Sequence, residues 1–135
     1  MSDERIWTAA VLVIGDEILS GRTQDKNVAQ IATWLDVQGI RLREVRIVPD
    51  VEAEIVDALN AIRARYDYVF TTGGIGPTHD DITSPSIARA FGVPLVLNGE
   101  AHARLQARYG AKRLNAARLC MAHVPEGAEL IENPI

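Results

Sequence analysis

The segment from Thr72 to Asp81 holds the densest group of residues whose chemistry suits the binding of an anion. It contains three glycines, two threonines and two adjacent aspartates within ten residues. Glycines let the backbone turn sharply and leave its N–H groups unobstructed, as a phosphate cradle requires. The threonine hydroxyls add further donors. We predict that this loop binds a phosphate-bearing ligand through Thr72, Gly73, Gly74, Gly76, Pro77 and Thr78.

The two acids that end the loop, Asp80 and Asp81, need a separate explanation. A carboxylate beside a phosphate is repulsive unless a cation lies between them, and Mg²⁺ in proteins is commonly held by carboxylates together with substrate phosphates. We therefore predict a divalent metal, Mg²⁺, at Asp80 and Asp81, with Asp16 or Asp50 as further candidate ligands. The alternative is that Asp80 or Asp81 caps the helix that follows, a common role of Asp at that position.

The elements that carry this loop alternate between strand and helix. The run from Ala9 to Ile14 is continuously apolar, which is typical of a strand buried on both faces. Apolar periodicities of two and of three to four residues then predict a helix at 25–38, a strand at 40–48, a helix at 51–65 and a strand at 67–72. A slip in the alternation between Leu42 and Val45 indicates a β-bulge. Such an order predicts an α/β fold, doubly wound, with three α/β/α layers and a mostly parallel sheet.

The second half of the chain continues the alternation with shorter elements. We predict helices at 84–91, 100–109 and 115–122, and strands at 94–97 and 128–131. The two later helices are separated by Gly110-Ala111-Lys112. With no repeat or linker, the chain is expected to form one domain, 1–135.

Three loops should meet at one edge of the sheet. In open parallel sheets, ligands bind beyond the carboxyl ends of the strands. Gly15 and Asp16 follow the first strand, Asp50 follows the second, and the glycine loop follows the third. We therefore expect a composite site built from all three loops.

The composition narrows the class of partner and the compartment. The net charge is −4, which gives no general attraction for nucleic acid or anionic lipid. Cys120 is the only cysteine and is interpreted as a packed core thiol in a reducing compartment. The apolar run from Thr8 to Ile14 is too short to span a membrane and lacks the basic flank of a signal peptide. The cytoplasm is therefore the expected location.

Two segments resemble a known family. The stretch from Thr72 to Thr83 reads TGGIGPTHDDIT and closely resembles the TGG-x-GPT-x-DD-x-T signature of the molybdopterin-binding domain family. The stretch from Gly15 to Gly21, GDEILSG, followed by Asp25 and Asn27, is similar to the opening GDEIL-x-G…D-x-N motif of the same family. The two motifs together point to the branch of the CinA N-terminal domain rather than to the MogA and MoaB branch.

The resemblance implies a function and assigns roles within it. It implies catalytic acids at Asp50 and Asp81, and ligand contacts at Gly15, Asp16 and Asn27. The CinA-like branch is associated with a metal-dependent pyrophosphatase acting on ADP-ribose, so the chain is expected to bind a nucleotide diphosphate or pterin phosphate and to hydrolyse the diphosphate. One alternative is molybdenum cofactor synthesis, through molybdopterin binding or adenylyl transfer.

A further alternative is an assembly module without catalysis. Members of the family form dimers or trimers, so a homo-oligomer is expected, with contacts at Leu105, Leu114 and Leu119 unless these leucines belong to the core. The chain ends at Asn133-Pro134-Ile135, where members of the family continue, and is therefore expected to lack a C-terminal strand.

Overall fold

The central sheet is built on β1 (Trp7–Ile14), whose residues from Ala9 to Ile14 are all buried. The computed structural model describes residues 5–131. Strands β2 (Ile40–Val48) and β3 (Tyr68–Thr72) pair with β1 in parallel, in the order β2-β1-β3. A central parallel strand is enclosed on both faces and both edges, so every position favours an apolar side chain. The prediction of a fully buried first strand is confirmed.

The helices and a small two-stranded antiparallel sheet complete the described chain. The helices are α1 (Asp16–Leu19), α2 (Asn27–Val37), α3 (Glu52–Arg63), α4 (Thr83–Phe91), α5 (Gly99–Arg113) and α6 (Ala116–Leu119), and a 3₁₀ turn (Cys120–Ala122) follows α6. Strands β4 (Leu95–Leu97) and β5 (His123–Pro125) pair antiparallel. Within residues 5–131, no helix has the length and apolar character needed to cross a membrane.

The sheet is covered by helices on both faces. Successive strand residues point to opposite faces. On one face, Leu12 and Ile14 of β1 form a core cluster with Ile55 and Ile62 of α3. On the other face lies α2, whose Trp34 ring meets the Phe70 ring of β3 edge-on, with centroids 6.5 Å apart. These layers confirm the predicted doubly wound α/β/α fold.

The predicted β-bulge lies in β2. Ala9 is paired with Leu42, but the next residue of β1, Ala10, is paired with Glu44, so Arg43 is the extra residue. The extra residue resets the alternation and brings Val45 to the same face of the sheet as Leu42. The slip in the sequence pattern therefore marked a real bulge.

The last strand was predicted at the wrong place. Residues 128–131 form no strand, and the partner of β4 is His123–Pro125 instead, with Val124 opposite Val96. A proline inside a three-residue strand hides it from pattern analysis, whereas the apolar pair Leu130-Ile131 imitates a strand. The chain end at 133–135, where a missing strand was expected, lies outside the described residues.

Leu12→Ala is expected to lower the free energy of unfolding by about 3 kcal/mol. Leu12 is fully buried in the central strand, and truncation removes apolar contacts and leaves a cavity that the sheet cannot close. Urea unfolding followed by circular dichroism measures the loss. The matched control is Val37→Ala, because the Val37 side chain is 78% exposed, and it should change the free energy by less than about 0.5 kcal/mol. Equal losses in the two variants would contradict this packing.

Candidate ligand-binding site

The strand order places a topological switch point between β1 and β3. The chain leaves β1 through α2 on one face of the sheet and returns through α3 on the other face to reach β3. At such a point the loops after the two strands diverge and leave a crevice at the carboxyl edge. The loop at Gly15 and the glycine loop after Thr72 are the two loops in question. The structure thus brings the predicted first and third loops together.

The second loop is joined to the first by a reciprocal pair of hydrogen bonds. The backbone N–H of Asp16 donates to Oδ2 of Asp50 at 3.1 Å, and the backbone N–H of Asp50 donates to Oδ1 of Asp16 at 3.0 Å. Gly15 N–H also donates to the carbonyl of Val48 at 3.0 Å. We call this arrangement the Asp16–Asp50 clasp. Each carboxylate uses one oxygen for the clasp and keeps the other for a further contact.

The glycine loop is locked against β1 and α4, because its backbone packs too closely on them to leave room for a side chain. Gly73 and Gly74 have positive φ values of 90° and 66°. A Cβ on Gly73 would stand 2.0 Å from the carbonyl oxygen of Ile14, and one on Gly74 would stand 2.2 Å from Oγ1 of Thr83. Buried Thr83 donates its hydroxyl to the Gly73 carbonyl at 2.7 Å, and its N–H to the Gly74 carbonyl at 3.1 Å. The sequence therefore needs glycine here for conformation and for close approach.

This locked loop leaves backbone donors free for a ligand. Gly74 and Ile75 both line a cavity, and neither N–H donates a hydrogen bond to another residue in the described part of the chain. Successive free N–H groups in a glycine turn form an anion-binding concavity. The arrangement has the donors that the sequence analysis expected of a phosphate cradle.

Asp81 folds back onto its own loop. Its Oδ2 accepts the Thr78 hydroxyl at 2.8 Å and the Thr78 backbone N–H at 3.0 Å. Burial raises the pKa of the Asp81 carboxyl, but these hydrogen bonds and one from the Gly76 N–H outweigh it and hold the pKa below its ordinary value. Asp81 is therefore ionised at neutral pH and keeps a fixed negative charge beside the cavity.

The helix-capping alternative for the two acids is wrong. The N-cap of α4 is Ile82, and no side chain caps the helix. The Asp80 carboxylate instead lies 3.3 Å from Nε2 of His79, and both side chains are almost fully exposed. Asp81 closes the Thr78 turn rather than the helix. The two carboxylates are thus positioned by contacts within the loop and not by capping of α4.

The cavity has a volume of about 600 Å³ and lies between the glycine loop and the second half of the chain. Four of the predicted residues line it, namely Gly74, Gly76, Thr78 and Asp81. The opposite wall is formed by Leu95, Cys120, Met121 and His123. One end of the cavity therefore offers free N–H groups and the other offers apolar and sulfur-bearing side chains.

Sequence reasoning missed that opposite wall. Cys120 is exposed rather than packed in the core, so that interpretation is wrong, and its thiol donates to the carbonyl of Ala116 at 3.3 Å. His123 and His79 also line the cavity. No periodicity links residue 95 to residue 121, because the contact depends on the pairing of β4 with β5 across 25 intervening residues. In the sequence, only the close spacing of Cys120 and His123 indicated that this segment could contribute to a site.

The remaining predicted residues do not line the cavity. Thr72 ends β3, Pro77 is exposed in the glycine loop, and Asn27 is the first residue of α2. Asp16 and Asp50 form the clasp at the adjoining loops. The roles of all these residues as ligand, catalytic or metal-binding groups stay predictions.

The chemistry of Asp80 and Asp81 fits Mg²⁺ only as part of a site shared with a ligand. Among residues 5–131, no three His, Cys, Asp or Glu side chains come together as a metal site of their own. Mg²⁺ needs few protein ligands, since one or two carboxylates and substrate phosphates suffice. Asp81 is ionised and Asp80 is exposed, so their donor chemistry fits such a shared site.

Thr78→Val is expected to raise the pKa of Asp81, because the variant removes the hydroxyl that donates at 2.8 Å. The folded pKa of Asp81 lies below the unfolded value of about 3.9, so this group stabilises the fold above that pH and the contribution is lost as pH falls through the folded pKa. The variant should therefore show a smaller loss of melting temperature on acidification. Carboxyl-carbon NMR across a pH series measures the pKa directly.

The control for this prediction is Thr33→Val. Thr33 is an exposed residue of α2 whose hydroxyl donates to the carbonyl of Ala29. The Thr33→Val variant removes the same kind of hydroxyl group at a position in α2 and should leave the pKa of Asp81 unchanged. An unaltered Asp81 pKa in Thr78→Val would contradict the hydrogen bond.

A family model described as "Probable molybdopterin binding domain" matches residues 10–131. The chain belongs to this family. A protein from Pyrobaculum calidifontis is 38% identical over 130 residues, which cover 95% of this chain and 50% of the relative. A CinA-like protein from Citrifermentans bemidjiense is 43% identical over 128 residues, covering 93% of this chain and 31% of the relative. The chain thus spans between about a third and a half of these curated relatives.

Solved structures place the chain within the family. The CinA protein of unknown function from Thermoplasma acidophilum superposes with a TM-score of 0.91 at 36% identity, over 96% of this chain and 77% of that protein. The tungsten cofactor synthesizing protein MoaB from Pyrococcus furiosus gives a TM-score of 0.60 at 28% identity, over 82% of this chain and 69% of that protein. The domain is therefore of the CinA N-terminal type, as the two sequence motifs indicated.

Proposed function

We propose that the chain binds a phosphate-bearing nucleotide or pterin at the switch point and, with a divalent metal, hydrolyses a nucleotide diphosphate such as ADP-ribose. The observation that carries the proposal is the locked glycine loop: Gly74 and Ile75 line the cavity of about 600 Å³, and their N–H groups donate to no acceptor among the described residues. A pocket of that size suits a small molecule and is large enough for a nucleoside or pterin ring.

Each wall of the cavity has a role in this proposal. The N–H groups of Gly74 and Ile75 hold the phosphates. The apolar wall at Leu95 and Met121 takes the organic ring. The diphosphate extends along the switch point toward the clasp, where Asp50 keeps one carboxylate oxygen outside the hydrogen bond to Asp16.

The proposed reaction is attack of water on one phosphorus of the diphosphate. The water oxygen bonds to phosphorus, the bond from phosphorus to the bridging oxygen breaks, and the water proton passes to the Asp50 carboxylate. AMP and ribose 5-phosphate are the products from ADP-ribose. Asp80 and Asp81 would hold the divalent ion, which when bound neutralises diphosphate charge and makes water more acidic. The fixed charge of Asp81 keeps this role available at neutral pH.

The test is an assay in which chromatography measures the release of AMP from ADP-ribose in the presence of Mg²⁺ or Co²⁺. The proposal expects metal-dependent turnover that EDTA abolishes. Calorimetric titration with ADP-ribose separates binding from chemistry. Absence of turnover combined with binding would sink the hydrolytic half alone, whereas absence of both would sink the whole proposal.

A second candidate is molybdenum or tungsten cofactor synthesis. The resemblance to MoaB from Pyrococcus furiosus, a tungsten cofactor synthesizing protein, supports it. Tighter binding of molybdopterin and ATP than of ADP-ribose, measured on the same preparation, would favour this second function.

A further inference from the structure

His123 is held at a fixed place in the wall of the cavity. It is the first residue of β5 and lies opposite Leu97 of β4 in the antiparallel pair. The residue before it, Ala122, is fully buried, and its carbonyl accepts the Asn98 backbone N–H at 2.8 Å. The backbone that carries the imidazole is thus tied to β4 and to the residue that follows β4. A side chain that orients a ligand needs such a rigid support.

One nitrogen of the His123 ring is already used within the chain. Nδ1 lies 3.3 Å from the carbonyl oxygen of Leu119. A carbonyl oxygen can only accept, so Nδ1 is the nitrogen that carries the proton in this hydrogen bond. In the neutral imidazole the other nitrogen, Nε2, is then an acceptor with a lone pair. The contact with Leu119 therefore fixes which ring nitrogen donates and which accepts.

The Nε2 atom of His123 is accessible to a ligand. It has no hydrogen-bond partner among residues 5–131. In the same part of the chain, no buried side-chain nitrogen or oxygen lacks a partner, so Nε2 is not enclosed by protein. The His123 side chain is half-buried and lines the cavity. A polar group placed in this way in a largely apolar pocket fixes the orientation of what binds there.

Nε2 is also the one strong acceptor that the side chains of the opposite wall supply within the described part of the chain. Leu95 has no polar side-chain atom, and the sulfur atoms of Cys120 and Met121 accept hydrogen bonds only weakly. The other polar side chains of the cavity lie on the glycine loop and in the first turn of α4, namely Thr78, His79, Asp81 and Ser84. A ring that lies against the opposite wall therefore meets one directional acceptor.

We propose that His123 is a specificity-determining residue, whose Nε2 accepts a hydrogen bond from an exocyclic amino group on the ring of the ligand. This inference rests on the proposed function, in which the glycine loop holds the phosphates and the opposite wall takes the ring. Adenine and pterin both carry such an amino group. Hypoxanthine and lumazine have a carbonyl in its place and would present an acceptor to an acceptor. A site built around one hydrogen bond rejects the analogue that cannot form it, because the polar group of the site loses water without gaining a partner.

The experiment is calorimetric titration of the whole chain with two pairs of ligands, at about pH 8, with Mg²⁺ present. One pair is AMP and IMP, and the other is 6-hydroxymethylpterin monophosphate and the corresponding lumazine. None of the four contains a diphosphate, so hydrolysis does not disturb the titration. In at least one pair the amino ligand should bind about tenfold more tightly than its oxo partner. The pair that shows this preference identifies the ring.

Two amide variants separate the roles of the two ring nitrogens. In His123→Asn the side-chain N–H can still donate to the Leu119 carbonyl, but nothing occupies the position of Nε2. In His123→Gln the longer side chain brings an accepting oxygen to that position. His123→Asn should therefore reduce the preference for the amino ligand to less than about twofold, whereas His123→Gln should keep at least about threefold. A residue that served only to bind Leu119 would give the opposite order.

The matched control is His102→Asn. His102 lies in the first part of α5, before the break at Gly110, and does not line the cavity. This variant should keep the preference of the unaltered chain, and circular dichroism melting shows that each variant is folded.

Three results would overturn the inference about His123: equal binding of both members of each pair, a full preference in His123→Asn, or a loss of preference in the control. Failure of all four ligands to bind would overturn it as well. Hydrolysis of ADP-ribose by the same preparation then shows that the proposed function stands without it, whereas absence of turnover and of ADP-ribose binding removes both.

Discussion

Gly73→Ala is expected to lower the free energy of unfolding by more than about 4 kcal/mol. The new Cβ would stand 2.0 Å from the backbone carbonyl oxygen of Ile14, at a residue whose φ is 90°. Ile14 is a buried residue of the central strand, so its carbonyl cannot move without disturbing β1. Losses of this size arise only from a few mechanisms, and a backbone clash is one of them.

The matched control for this clash is Gly92→Ala. Gly92 ends α4 with a positive φ of 67°, but a Cβ there meets nothing within 4 Å. Its cost is therefore the conformational penalty alone, about 1 kcal/mol. Comparing the free energies of unfolding of the two variants in denaturant separates the cost of the steric clash from the cost of the backbone conformation. If Gly73→Ala lost no more stability than Gly92→Ala, the packing of the glycine loop on β1 would be refuted.

The clash expected at Gly73 means that glycine has a structural role in this loop that is separate from ligand binding. Gly73 is needed to bring the loop against the end of β1, and Gly74 is needed to receive Thr83. With these contacts in place, Gly74 and Ile75 line the cavity and their N–H groups have no acceptor among the described residues. The fold at the switch point and the donors for a ligand are therefore consequences of the same glycines.

The sequence was sufficient to predict the helices and strands whose apolar patterns extend over many residues. The bounds of β2 at Ile40 and Val48 were predicted without error, and α2, α3 and α4 were placed to within two residues. Their apolar periodicity extends over at least two turns or several strand pairs, so packing and pattern agree. The bulge at Arg43 was visible for the same reason, because it shifts an alternation that is otherwise regular.

Short elements and long-range contacts were not predictable in this way. Helix α1 has only four residues, Asp16–Leu19, which is too few to show a period, so it was expected to be loop. The far wall of the cavity depends on the pairing of Leu97 with His123 across 25 intervening residues. The error at Cys120 has the same origin, since its apolar neighbours suggested a core that this part of the chain does not build.

The acids were recognised as functional candidates, but their geometry could not be foreseen. The pattern of Asp50 after one strand and Asp16 after another predicted proximity, and the clasp fulfils it. The pattern of Asp80 and Asp81 allowed a cap, a metal site or both. The structure decides against the cap, because Asp81 accepts hydrogen bonds from Thr78 and no side chain caps α4.

Asp50→Asn is expected to reduce the proposed hydrolysis of ADP-ribose by about 10²- to 10⁴-fold while leaving the fold intact. The Asn side-chain oxygen can still accept the Asp16 N–H, so the clasp survives, but an amide cannot take a proton from water at neutral pH. Calorimetric binding of ADP-ribose should change little by comparison with the rate. The loss should therefore appear in kcat far more than in KM.

The control that isolates this role is Asp36→Asn, which removes an equal charge from an exposed position of α2. It should retain the rate of the unaltered chain, and its melting temperature should match that of Asp50→Asn. A parallel loss of melting temperature and rate in Asp50→Asn would assign the residue to the clasp alone. Full activity in that variant would remove Asp50 from the reaction and leave Asp81, the one acid among residues 5–131 that lines the cavity, as the group to test next.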